Sequence, residues 1–216
     1  MADNTDQQEE IRKCFEEFNS LRGQAIQAYA SLERSLCRVF SSLSETTMEV
    51  ASIIFFKIVN ASTLYDILEK LLRNKHGATF NLFWNSFIKT LRQDLSQKRN
   101  HIVHWNAWFS SQKGCHFYVL RPHGHEYHAN PNVPPPIVAT HLAEFIEKCG
   151  FFSQLANRFY FYTTPELKSL LEAGYPGRMQ AWHDIFLQPI VYPPPSNHPL
   201  CLKPQAPGSP RPPSPL

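Results

Sequence analysis

Apolar residues return every three or four positions over most of this chain. From Ile11 they fall at Cys14, Phe15, Phe18, Leu21, Ala25, Tyr29, Leu32, Leu36, Val39, Phe40 and Leu43. That spacing lines one face of a helix and predicts a long first one, with Thr5 and Gln8 as a capping box. Ser44 is placed to cap a second helix faced by Met48, Ala51, Ile54, Phe55, Ile58 and Val59. Ser62 or Thr63 opens a third helix through Leu64, Ile67, Leu68, Leu71 and Leu72, which Gly77 closes. The fourth reads Phe80, Phe83, Trp84, Phe87, Leu91 and Leu95 and runs on to Arg99, Ile102 and Val103.

Beyond Trp105 the period changes. Cys115–Leu120 reads as a strand, Arg121-Pro122-His123-Gly124 as a turn and Glu126-Tyr127-His128 as the returning strand. Pro134-Pro135-Pro136 ends this unit, and a further helix follows from about Ala139 to Tyr162. Thr164-Pro165-Glu166 opens a short helix that stops near Gly174, and a last turn includes Trp182, Ile185 and Phe186. The pattern therefore predicts an all-α bundle of four to five main helices over residues 1–190, with a small β-hairpin insertion near 115–130. Residues 191–216, rich in Pro with Ser, Asn and Gln, read as a disordered tail.

Composition narrows the functional classes. The 216 residues include 43% hydrophobic and 13% aromatic positions, enough for one packed core. A formal charge of +3 lacks the basic excess of a duplex-coating protein, so nucleic acid would be met by a local patch such as Lys89, Arg92, Lys98 and Arg99. Five scattered cysteines without a Cys-x-x-Cys pair, a polar acidic start and no long apolar run point to a reducing cytoplasm and away from a membrane. There is no Gly-rich phosphate loop, no Gly-x-Ser-x-Gly and no His-Glu-x-x-His, so nucleotide hydrolases, serine hydrolases and zinc proteases find no support.

The chemistry concentrates in Arg99-Asn100-His101-Ile102-Val103-His104. Arginine offers a permanent forked charge that matches phosphate oxygens, and histidine exchanges protons near neutral pH. At about 100° per residue Asn100 and His104 share a helix face, while Arg99 lies about 140° from His104, so the site would need a second surface to complete it. Periodicity puts Arg99 on the buried or partner-facing side, where a guanidinium needs an acceptor. Glu33, on the flank of the first helix, is one candidate; its alternative is a surface pairing with Arg34 or Arg38. His101 points to another side and is at most a spare basic contact. Trp105 and Trp108 could stack a base, or one of them could pack in a core or dimer.

This motif near the end of a long helix in a small helical bundle resembles the HEPN superfamily, whose signature is Arg, a polar residue, and His four to six positions after the Arg. Arg99, Asn100 and His104 match that pattern, and the resemblance spans roughly Gln24–Trp108 with the helix Ala139–Tyr162. It implies a metal-independent endoribonuclease without cofactor, acting on RNA as a homodimer. The resemblance also implies a setting in toxin, phage-defence or RNA-processing systems, with room for an antitoxin or nucleotidyltransferase partner. Arg99, Asn100 and His104 would be catalytic, with Glu33 and His101 in support and Lys98, Trp105 and Trp108 as RNA contacts. One toxin subfamily carries a Tyr two positions after the His; Asn106 stands there, so that subfamily's regulation is not carried over. Two other readings remain: a non-catalytic HEPN-like module that binds nucleotide or protein, and a helical scaffold whose hairpin histidines, His116, His123, His125 and His128, bind metal. No ligand set of fixed spacing completes such a metal site, so solvated loop histidines are preferred.

Overall fold

The computed structural model describes residues 3–112, 115–123, 134–174 and 177–201. Its organising element is α1 (Asp3–Ser44), a single helix of 42 residues whose inner face buries Phe18, Ala25, Tyr29, Leu32, Leu36 and Phe40. Three further elements lie along it: α3 (Ala61–His76), a helical run from α4 (Asn81–Thr90) to α5 (Ser96–His104), and α6 (Ala139–Thr163).

Side-chain pairs fix the directions. Tyr29 stacks on Phe145, Ser35 bonds Ser153, Arg38 bonds Asn157 and Ser42 bonds Thr164, so α1 and α6 run parallel. A parallel pair cannot be joined by a tight turn, which is why all of residues 45–138 intervene. On α6 the order reverses against the fourth helical run, where Phe83 faces Phe159, Phe87 faces Phe152 and Asp94 faces Lys148. That run is antiparallel to α6 and, through Tyr29–Ser96 and Arg22–Ile102, to α1.

The connections use local chemistry, in part different from that expected. Ser44 does not cap α2 (Met48–Phe55): its hydroxyl donates back to the Phe40 carbonyl at 2.7 Å, and Thr47 accepts from the Val50 amide instead. Asn60, not Ser62 or Thr63, caps α3, accepting from the Thr63 amide at 3.1 Å. Gly77 does end α3, with φ +59°, a backbone region that suits glycine.

The interior is aromatic. Phe83 and Phe159 stack at 5.4 Å, Trp84 and Phe87 at 5.4 Å, and Phe186 meets the edges of Phe83 and Phe159. Phe186 and the buried Trp182 come from α8 (Met179–Phe186), which follows α7 (Pro165–Gly174). Of the stretch read as a tail, residues 191–201 are described and lie on this core: Tyr192 and His198 both pack on Phe151, and Leu200 joins the cluster. Aromatic and apolar side chains set among the prolines give these residues something to bury. Residues 202–216 lie outside the described part.

The hairpin forms with a different partner strand. β2 (Cys115–Arg121) pairs antiparallel with β1 (Asn106–Gln112), from Asn106 opposite Arg121 to Gln112 opposite Cys115. It therefore springs directly from the motif helix. Glu126, Tyr127 and His128, expected as the return strand, lie outside the described residues. The hairpin rests on α1 through Phe15 and Tyr118, whose ring centroids are 5.0 Å apart. No helix among the described residues is long and apolar enough to cross a membrane.

Phe83, fully buried in the stack, and Ile53, 67% exposed on α2, separate core from surface. Phe83→Ala should cost about 3–5 kcal/mol in urea unfolding, whereas Ile53→Ala should stay within about 0.5 kcal/mol. Equal effects would place the core elsewhere.

Candidate functional site

The motif helix is held at both ends. Between α4 and α5 the ladder passes through a π turn, Leu91–Leu95, which admits one extra residue per turn and re-aims the side chains of α5. At the start of α5, Ser96 shares hydrogen bonds with the Tyr65 hydroxyl at 2.7 Å and the Tyr29 hydroxyl at 3.0 Å, and the two tyrosines bond each other at 3.2 Å. Burial pushes both phenols above their ordinary pKa, so the trio stays neutral.

The far end is closed by Arg22 of α1. Its guanidinium donates to the carbonyls of Ile102 at 2.8 Å, Val103 at 2.9 Å and Trp105 at 3.0 Å. These are carbonyls that a helix terminus leaves without intrahelical donors, and the positive charge also suits the negative end of the helix dipole. Trp105 then turns extended and hands the chain to β1. Arg22, which positions the motif helix, is a residue that sequence reasoning missed.

Between these anchors the motif is laid out on an open rim. The half-buried Arg99 has its guanidinium carbon 5.9 Å from the centre of the Tyr29 ring and donates to the Asn100 side-chain oxygen at 3.2 Å. Asn100 and His104 are exposed one turn apart, and no described residue hydrogen-bonds the His104 ring. Glu33 is half-buried on α1. Burial raises its carboxyl pKa and the nearby Arg99 charge partly offsets this. The two are neighbours in charge without an ion pair.

The supporting residues divide. His101 leaves the rim and stacks on Trp105, with centroids 4.3 Å apart and 16° between planes, and burial holds its pKa below the usual value. Lys98 binds Asp94 at 2.9 Å, and Asp94 also takes Lys148 at 2.6 Å. Burial opposes ionisation of Asp94, but the two lysines outweigh it and keep the carboxyl below its ordinary range. Trp108 is exposed on β1, beside the exposed Phe109. Of the hairpin histidines, His116 stacks against Phe109 and His123 is described, while His125 and His128 lie outside the described residues. Among the described residues no three His, Cys, Asp or Glu side chains are grouped to hold a metal ion.

Comparison with known proteins adds no relative: neither a family model, nor a curated protein, nor a solved structure matches this chain.

Arg22→Ala leaves partly buried carbonyls without their donor and should cost about 1–3 kcal/mol, with faster amide exchange at Trp105 and along β1; unchanged exchange there would refute the clamp. Acid should weaken the fold as well, because burial lowers the pKa of His101, His198 and His76. Above about pH 6.5 both folded and unfolded chains hold these rings neutral. Below it the unfolded chain binds protons that the folded one refuses, so stability should fall on acidification. The melting temperature should drop from pH 7.5 to 5.5, and a His101→Asn, His198→Asn double variant should flatten that drop; an equally steep drop would remove these rings as its cause.

Proposed function

We propose that the chain is a HEPN-type, metal-independent endoribonuclease working as a homodimer. The observation that carries this reading is the exposure of Asn100 and His104, with Arg99 beside them, on the rim of a helix whose two ends are pinned. A site built on an anchored helix holds its geometry better than one on a loop.

The reaction is a transesterification. The 2′-oxygen of a ribose attacks the adjoining phosphorus, the bond from phosphorus to the 5′-oxygen breaks, and a 2′,3′-cyclic phosphate and a 5′-hydroxyl result. One His104, neutral, takes the 2′-hydroxyl proton, and the partner's His104, protonated, supplies a proton to the departing 5′-oxygen. One imidazole cannot fill both roles at once, which gives the dimer its chemical purpose. Arg99 faces the phosphate and the charge that builds on its oxygens. Asn100, already bonded to Arg99, steadies that guanidinium or binds a phosphate oxygen.

A second reading rests on the placement of Arg99 over Tyr29 and near Glu33. There the guanidinium braces α5 against α1, and the domain binds nucleotide or protein without catalysis.

Cleavage of single-stranded RNA in EDTA separates the two. The nuclease reading expects cyclic-phosphate ends and a loss of about 100-fold or more for both His104→Ala and Arg99→Ala, with the fold retained by circular dichroism. Equal background cutting by all three proteins leaves only the binding module.

A further inference from the structure

Beside Arg99, Asn100 and His104, and sharing His101 and Ile102 with the motif, lies a groove of about 420 Å³, closed by the start of α6 and by Pro134 and Pro135. It falls in the range of small-ligand pockets, which begin at about 300 Å³. Its apolar walls are Ile102, Ile137 and Phe145, all buried core residues.

The polar groups in it are mixed in kind. Gln93 and Gln97 stand one turn apart on the π turn and α5, and each amide carries both donors and an acceptor. The His141 Nδ1 accepts from the Val138 amide at 3.4 Å, so in its neutral form the other ring nitrogen carries the proton and can donate. Glu144 adds an acceptor. Charge does not accumulate: Asp94 is held between Lys98 and Lys148. The stacked pair His101 and Trp105 gives a π surface beside it.

This combination is poorly suited to a free phosphate, which would seek several uncommitted cations. It fits a flat, neutral heterocycle with donors and acceptors along its edge. We infer that the groove receives one unpaired nucleobase of the strand whose backbone is handled at Arg99 and His104; this rests on the ribonuclease reading. Gln97 and His104 stand two turns apart along one side of α5, about 10 Å along its axis, which a short extended single strand can cross. Gln93 and Gln97 are then the residues that read the base.

The test uses the full chain and the four ribonucleosides, with ribose 5-phosphate as the probe for phosphate. In NMR titrations one or two nucleosides should shift Gln93, Gln97 and His141 signals and leave His104 unmoved, with ribose 5-phosphate inactive. Both glutamines are exposed, so a Gln93→Ala, Gln97→Ala double variant should fold normally. It should weaken nucleoside binding about tenfold and erase the preference among RNA homopolymers. Nucleoside binding in the groove by a chain that cuts no RNA keeps the base site and removes the nuclease. RNA cleavage with no nucleoside shift, ribose 5-phosphate bound as tightly as any nucleoside, or homopolymer preference untouched in the double variant overturns the base site.

Discussion

The guanidinium of Arg22 is where the long first helix takes hold of the helix that bears Arg99, Asn100 and His104. Three carbonyls at the end of α5 converge on it, and no neutral side chain could supply as many donors from one rigid plane. The contact joins residues about 80 positions apart in the chain. It decides where the helix stops, where the hairpin begins and which way the last turn of the motif looks. Ser96 and its two tyrosines do the corresponding work at the other end, with neutral hydroxyls in place of a charge.

The bundle around this unit follows from one directional constraint. Because α1 and α6 run the same way, the chain must travel the length of the molecule between them, and the α4–α5 run is that return journey. Its first half is wedged into the aromatic interior with Phe83, Trp84 and Phe87. Its second half emerges at the edge of α1, where only Leu95 and Ile102 stay buried. Polar residues thereby gain the freedom to face outward without a loss of core contacts.

Much of the helical framework was legible in the sequence, since amphipathic spacing reports burial directly: Ala139–Thr163 lies where that spacing puts it, and Pro165–Gly174 where Thr164-Pro165-Glu166 and Gly174 mark its ends. The hairpin partner was not. β1 contains Ser110, Ser111 and Gln112 and lacks a clean alternation, while the apolar run of β2 stood out. Gly114 just before β2 was the available turn signal. The π turn is invisible to spacing because Leu91 and Leu95 are four apart in either kind of helix. Arg22 was missed because a charge on a helix flank has no periodic signature of its own. Glu33, one candidate acceptor for Arg99, lies close enough to feel its charge, yet the guanidinium settles over Tyr29 and bonds Asn100. Motif spacing identifies a shared helix sector, but side-chain partners depend on which neighbouring helix arrives.

The π turn also uncouples two design problems. Before Leu91 the inner face answers to close packing, where even a methylene matters, whereas from Ser96 to His104 only Ile102 is buried. One added residue between them acts as a rotary joint in the primary structure. A lineage that gained or lost it could swing the whole rim around the helix axis while its interior kept every aromatic contact it already had.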